Sequence, residues 1–399
     1  MTRSHPTALA TALALLVAVA AGCAAPDRTP VAAPPTTVPD LPTRPVTLRI
    51  LDVSGVLALA KPIIENFARE HPQLVSSVRY ESGTPTDVVG KLYAQQQSGN
   101  VTDDLVLTGT EGLSLLAKQQ TVVPLLPGYA SALPDPSAVM TPAARQLQAA
   151  LDGTGMIISG QPDGPVLAYD TRTVPHPPKT PQELLAWAKA HPGRFGYAAV
   201  PTGSGPANQF TDALPHMLGD TSPADPATWT RTWAYLAELN RYTAPYATKT
   251  VDTFDALARG SLDIVLTETG FDVQMKAKGV LGDQFALQAF DDPVTIEVAQ
   301  WAAVPRGVAP DRLAVCLALI TYLLQPRQQA LTIPFRAAFP VRGVELSMAS
   351  ADARAQYQRF GSPDFNERLL ATAQAKNPVV GDHVQVKYDI WNRSIGAKR

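Results

Sequence analysis

The sequence predicts an α/β protein of two domains, with a ligand-binding edge in each. Between Val46 and Leu116 the chain three times runs an apolar strand into a hydroxyl-and-glycine pair that opens a helix. The same phrase returns in the second half, and 399 residues suit two domains of ordinary size better than one core. In a parallel sheet such junctions fall at the carboxyl edge, where helix N-termini present unpaired N–H groups and ligands bind.

Residues 1–22 read as an export signal. Arg3 supplies a basic start, and residues 8–21 are an uncharged, largely apolar run of fourteen, too short to span a bilayer and right for a secretory segment. The run ends in Val19-Ala20-Ala21-Gly22-Cys23. Small residues before a cysteine resemble a bacterial lipobox, which implies cleavage at Cys23 and its acylation. Ala20 departs from the usual leucine, and plain secretion is the alternative. The other cysteine, Cys316, sits in an apolar run and is expected to be a small buried hydrophobe. Residues 24–45 hold seven prolines in 22 positions, which predicts an extended tether reaching on the order of 60 Å. Hydrophobic content of 45%, charged content of 17% and a formal charge of −2 describe a globular protein with no electrostatic call for nucleic acid.

The first unit is Leu48-Arg49-Ile50-Leu51-Asp52-Val53, then Ser54-Gly55, then a helix to Arg69. Val56, Ala60, Ile63 and Phe67 form its buried stripe, and Pro62 is expected to kink it or to mark its start near Lys61. The second unit is Val78-Arg79-Tyr80, then Ser82-Gly83-Thr84-Pro85, then a helix over 87–97; the third is Leu105-Val106-Leu107, then Thr108-Gly109-Thr110, then a helix over 111–118. Val122 to Leu125 reads as a short strand or surface edge, and 141–151 as helical. A strand over 164–170 precedes a proline-rich passage. Thr180-Pro181-Gln182-Glu183 is a helix start with Thr at the N-cap, Pro at N1 and Glu at N3. The fourth unit is a strand over 194–200, the junction Pro201-Thr202-Gly203-Ser204-Gly205-Pro206, and a helix over 207–218. Helices over 228–240 and 254–260, a strand over 262–266 ending in Thr267-Glu268, a strand over 296–304 and an apolar helix over 312–324 follow. The final helix places Val384, Tyr388, Trp391 and Ile395 on one face, with Asp382 as N-cap.

Four stretches make the chain resemble an extracellular solute-binding protein of a bacterial ABC importer, in the group with polyamine-, iron- and thiamine-type binders. They are Ile63-Ile64-Glu65-Asn66-Phe67-Ala68-Arg69-Glu70-His71-Pro72, Lys179-Thr180-Pro181-Gln182-Glu183-Leu184-Leu185, Leu257-Ala258-Arg259-Gly260-Ser261-Leu262-Asp263-Ile264, and Ala303-Val304-Pro305-Arg306-Gly307 with the helix end Leu323-Leu324-Gln325-Pro326. Their order covers about 46–345, and His191-Pro192-Gly193-Arg194-Phe195-Gly196-Tyr197 is most similar to thiamine-binding-like members.

The resemblance implies a two-lobed periplasmic-binding-protein fold of type II, each lobe a mixed sheet flanked by helices, closing about a hinge. It implies residues 46–164 and 295–336 in lobe 1, and 165–294 and 337–399 in lobe 2, with a further crossing near Ala337-Ala338-Phe339-Pro340. It further implies a monomer outside the membrane, held by lipid on Cys23, that delivers a small-molecule solute to a permease, with neither cofactor nor nucleic acid. The chain has no G-x-x-x-x-G-K-[ST] motif, so the energy would come from a separate ATPase.

The residues expected at the solute are Ser54, Gly55, Gly83, Thr84, Thr108, Gly109 and Thr110 from the first lobe, and Gly203, Ser204, Gly205, Thr267 and Glu268 from the second. Glycine allows close backbone approach and hydroxyls donate or accept, although the same residues also serve as plain helix caps. Glu268 directly follows an apolar strand and suits a cationic group; Glu81, Glu111 and Asp272 are weaker versions. Trp301 and Tyr242 are either stacking surfaces or core. Polyamine binders of this group carry an aromatic and an acid where this chain has Val298 and Gln300, and iron binders use adjacent tyrosines, which it lacks. The solute is expected to be small, polar and organic, with a phosphate or carboxylate as one option for the helix N-termini. A sensing receptor on the same fold is one alternative and a secreted enzyme another. The six histidines lack metal-ligand spacing and Ser204 lacks a G-x-S-x-G elbow, so no catalytic residue is assigned.

Overall fold

The computed structural model describes residues 33–53, 55–162, 164–335 and 339–398. The export signal, Cys23, Ser54 and part of the expected crossing near 337–340 lie outside the described residues. The strands are β1 (Val46–Val53), β2 (Val75–Gly83), β3 (Leu105–Gly109), β4 (Met156–Pro162), β5 (Val166–Asp170), β6 (Phe195–Gly196), β7 (Ile264–Thr267), β8 (Phe285–Ala289), β9 (Val294–Ala303) and β10 (Gln374–Lys376).

The first sheet runs β10-β9-β3-β1-β2, with β4 also paired to β9. β1 is parallel to β2 and β3, whereas β9 runs antiparallel to β3 and β4. All three repeated units of the first half are present, and their helices are Leu57–Glu70, Pro85–Gln97 and Thr110–Lys118. The stripe Val56, Ala60, Ile63 and Phe67 is buried against the sheet. Pro62 does not mark the start of its helix. The first turn closes earlier, through Ala58 N–H to Gly55 O and Leu59 N–H to Val56 O, so Pro62 falls in the second turn and removes one bond.

The second sheet runs β6-β7-β5-β8. The strand expected over 194–200 shrinks to Phe195–Gly196, and the chain then enters the tight turn Val200–Thr202 before helix Gly205–Leu218. Pro201 has no N–H for a ladder, and Gly203 takes φ 80°, a conformation glycine adopts without strain. Strands β4, β8 and β10 escaped the sequence reading, having no clear alternation. Thr180 caps helix Pro181–Ala190 by accepting from Glu183 N–H at 3.1 Å, as its start signal predicts.

Two passages join the sheets. β4 belongs to the first and β5 to the second, and residues 163–165 lie between them; β8 of the second leads into β9 of the first. The passages touch, because Ile296 N–H donates to Gly164 O at 2.9 Å. The chain after 338 does not pass directly into the second lobe. Thr141 N–H donates to Pro340 O, Arg342 N–H donates to Val139 O (both 2.9 Å), and Val341 joins the first core. β10 likewise pairs with β9. Only then does helix Asp382–Ser394 insert Val384, Tyr388 and Trp391 into the second core. Its N-cap is Gly381, and Asp382 is the first helical residue, pairing with Lys118 at 3.0 Å. The tether is partly docked as well: Tyr129 O–H donates to Pro35 O, and Val38 packs on the first core.

The buried face of the last helix contains a lysine that periodicity did not single out. Lys387 is fully buried, with Nζ 2.7 Å from Asp212 Oδ1 on helix Gly205–Leu218 and 3.9 Å from Glu111 Oε1 on helix Thr110–Lys118. Asp212 Oδ2 also accepts Val379 N–H at 3.0 Å, Ser114 Oγ accepts Gly381 N–H at 3.1 Å, and Leu115 enters the second core. Both lobes and the C-terminal segment therefore meet around one cation. Lys387→Ala would leave two carboxylates without it and is expected to cost about 3–5 kcal/mol in denaturant unfolding. An unchanged midpoint would show the pair to be dispensable.

Candidate functional site: two polar sheet edges

In the first sheet Val53 lies beside Gly83 and Asp52 beside Leu107, so β1, β2 and β3 end together. Gln300 of β9 lies opposite both Gly109 of β3 and Ser159 of β4, and β4 then runs on past the end of β3 to Pro162 opposite Glu297. The chain thus leaves the first sheet at the carboxyl edge of the parallel strands. It enters the second at Val166, in one row with Thr267 of β7 and Ala289 of β8. The end of β7 and the junction after β6 are therefore at the edge nearest the passages. Two polar edges, each with helix N-termini, bracket the crossing strands.

The predicted residues divide. Thr84 is a cap: its Oγ1 accepts Asp87 N–H at 3.3 Å and its own N–H donates to Asp87 at 3.3 Å. Gly83 continues the β2 ladder, and Gly55 is exposed at φ 76°. Thr108 is fully buried against Gly112, and Thr110 Oγ1 accepts Trp301 Nε1–H at 3.1 Å. Trp301 has no exposed surface and belongs to the first core, so it braces Thr110 from behind instead of meeting a solute. Gly109 is partly exposed and paired with Gln300.

In the second lobe Ser204 shares a 2.8 Å hydrogen bond with Thr250 Oγ1 and is nearly buried, and buried Thr267 donates to Glu268 O at 3.2 Å. Glu268 is partly exposed and accepts Gln209 Nε2–H at 3.1 Å. Its carboxylate lies against the first residue of helix Gly205–Leu218, where a Cβ on Gly205 would sit 2.7 Å from Oε2. Ser204, Gly205, Gln209 and Glu268 thus form one group, with Gly203 at the turn before it. Glu81 instead pairs with Lys91 at 2.7 Å, and Tyr242 O–H donates to Glu238 on the outer helix Thr230–Asn240.

The charge at the helix N-termini differs from expectation. Asp52, 7% exposed, accepts Leu57 N–H at 3.1 Å at the first helix, and Asp87 closes the second. Glu111 lies in the first turn of the third helix, Glu268 lies against the start of Gly205–Leu218, and Asp272 lies in the first turn of Phe271–Ala277. Each site where a phosphate or carboxylate would gain from N–H groups already has a carboxylate of the chain. Burial pushes the Asp52 carboxyl above its usual range, opposed by the Leu57 and Val56 N–H groups. Burial does the same for Glu111 against the pull of Lys387, and for Asp272 against Lys276 at 3.3 Å.

Asp52, Gln209 and Asp212 were missed by sequence reasoning. Asp52 carries a signal, an acid at the end of an apolar strand and two residues before the junction. Gln209 and Asp212 lie inside a helix in which every residue from Pro206 to Pro215 is buried, so spacing does not distinguish them.

A family profile described as bacterial extracellular solute-binding protein matches residues 63–349. The chain belongs to that family. Solved structures share the fold. A putative spermidine/putrescine ABC transporter protein from Listeria monocytogenes aligns with TM-score 0.63 and 15% identity over 88% of this chain and 99% of that one. A periplasmic thiamin binding protein aligns with TM-score 0.63 and 15% identity over 89% and 99%. The PBP MotA from A. tumefaciens B6, solved with glucopine, aligns with TM-score 0.61 and 15% identity over 88% and 99%. Comparison with curated protein sequences gave no match.

If Thr84 serves only its helix, Thr84→Ala should lower stability by about 1 kcal/mol and leave solute affinity unchanged. A tenfold loss of affinity at unchanged fold would return Thr84 to the site.

Proposed function

We propose that the protein is the solute-capturing component of an ABC importer, a monomer tethered through lipid on Cys23 at the outer face of the membrane. It would close its two lobes on one solute and hand it to a permease driven by a separate ATPase. The observation that carries this reading is the pairing of two polar sheet edges across the crossing strands, in a chain of the extracellular solute-binding family. A neighbour described as a spermidine/putrescine transporter protein and one as a thiamin binder have the same fold, which supports the importer role without naming the solute.

The charge at the edges narrows the solute's chemistry. With carboxylates at every junction helix, the cleft favours a small polar solute bearing a protonated nitrogen over the phosphate or carboxylate option. Glu268, partly exposed at the end of β7, would be one acidic contact, and the hydroxyl groups of the edges would meet the neutral part. Val298 and Gln300 on β9 supply neither an acid nor an aromatic ring.

A thermal-shift screen of the mature chain over amines, thiamine, sugars, phosphonates and carboxylates tests this. A cationic solute at 100 times its Kd should add about 2.7 kcal/mol of stability. Glu268→Gln should weaken its binding by about 1.5–3 kcal/mol, the range for a hydrogen bond to a charged group. Shifts from phosphonates or carboxylates alone would overturn the charge assignment, and no shift from any class in folded, solute-free protein would count against capture itself.

A further inference from the structure

Where the C-terminal helix meets both lobes, two acids face one lysine. Lys387 has no exposed surface, Asp212 is 2% exposed, and the side chain of Glu111 is 13% exposed. Lys387 Nζ donates to Asp212 Oδ1 at 2.7 Å, and Asp212 Oδ2 accepts Val379 N–H at 3.0 Å. Both oxygens of Asp212 are thus occupied as acceptors, which fits an ionised carboxylate. Glu111 Oε1 lies 3.9 Å from the same Nζ, beyond hydrogen-bonding distance.

With all three groups ionised, two carboxylates would share one ammonium and leave a net negative charge out of water. Such a charge is costly, and a buried acid takes up a proton instead. Asp212 has the short lysine contact and the peptide N–H, so the proton falls to Glu111. Burial, together with the Asp212 charge, pushes the Glu111 carboxyl up against the pull of Lys387 and of a peptide N–H.

Among the described residues, the neighbouring groups do not supply the missing positive charge. Tyr388 on the C-terminal helix stays neutral, its hydroxyl pushed well above its usual range by burial and by both acids. Lys118, at the far end of the Glu111 helix, pairs with Asp382 at 3.0 Å. Helix Pro85–Gln97 packs on that helix with Lys91, which meets Glu81 at 2.7 Å and Asp103 at 3.2 Å, and with Asp87, which closes its own N-terminus. β9 packs there too and brings a further acid, Glu297. His216, one turn after Asp212, is kept below its usual range by burial and by Lys376.

We propose that Glu111, Asp212 and Lys387 form a proton-binding site: one proton on Glu111 balances the cluster that ties the first lobe to the C-terminal helix, and the fold loses stability when that proton leaves. The inference is independent of the solute's chemistry. Folded Glu111 keeps a proton that the unfolded chain has already lost, so the folded state binds more protons and stability falls as pH rises. The fall begins in the ordinary carboxylate range and ends once the pH has passed the raised value of the folded state. One proton gives at most about a tenfold loss in the folding equilibrium constant per pH unit.

The experiment is denaturant unfolding of the mature chain across the pH range between carboxylate and lysine titration, in wild type, Glu111→Gln, Asp212→Asn and the double variant. Glutamine stands in for the protonated acid. Glu111→Gln is expected to match wild type at the acid end and to exceed its folding constant about tenfold or more at the alkaline end, because the slope due to this proton is gone. Asp52, Asp272 and His216 titrate in both chains and cancel in the comparison. With Asp212→Asn one acid faces one lysine, Glu111 ionises, and Glu111→Gln should now weaken folding, a reversal of sign that a packing role would not produce. Parallel pH profiles for wild type and Glu111→Gln, a Glu111→Gln chain less stable than wild type at the alkaline end, or no reversal in the Asp212→Asn background would each overturn the inference. If Asp212→Asn fails to fold, the comparison of wild type with Glu111→Gln decides alone.

Discussion

The peptide hydrogen bond from Ile296 N–H to Gly164 O holds side by side the two strands that pass between the sheets, and the placement of both sheet edges follows from those strands. β4 leaves the first sheet beyond the end of β3, so the outgoing strand starts at the edge where three helices begin. It becomes β5 within a few residues, and Val166 is already in register with the ends of β7 and β8. A shift of one residue in that crossing would turn each side chain of β5 to the opposite face of its sheet. The pairing of edges is thus a consequence of register, and the polar residues at the junctions inherit their positions from it.

Electrostatics at those edges runs opposite to the simplest expectation for helix N-termini. Unpaired N–H groups attract anions, but here Asp52, Asp87, Glu111, Glu268 and Asp272 are already in place. Burial opposes ionisation of Asp52, Glu111 and Asp272, while N–H groups or a lysine favour it, so these are costly carboxylates with local compensation. Glu268 differs from the three buried acids in being partly open and held by an amide.

Much of this architecture was legible in the sequence because it rests on local signals. The three repeated units, the Thr180 helix start and the apolar faces of Leu57–Glu70 and Asp382–Ser394 all follow from spacing and caps. The site was legible only in part. Junction position marks an edge but not which residue on it is exposed, and that is decided by partners distant in sequence. Trp301 took up Thr110, Thr250 took up Ser204, and Asp87 took up Thr84. Gln209 and Lys387 were invisible because helical periodicity assigns a buried face, and a polar residue on such a face is unexplained until its partner from another segment is known.

Lys387 also bears on how the lobes can move. Its short contact, 2.7 Å to Asp212, lies between the C-terminal helix and the second lobe, whereas its contact with Glu111 of the first lobe is 3.9 Å. Separation of the lobes at this point would leave the tight pair intact and lose the weaker attraction. It would also expose Leu115, which is packed in the second core, and break the Gly381–Ser114 hydrogen bond. The apolar term and the lost hydrogen bond together are on the order of a few kcal/mol, comparable with what a bound solute contributes through differential affinity.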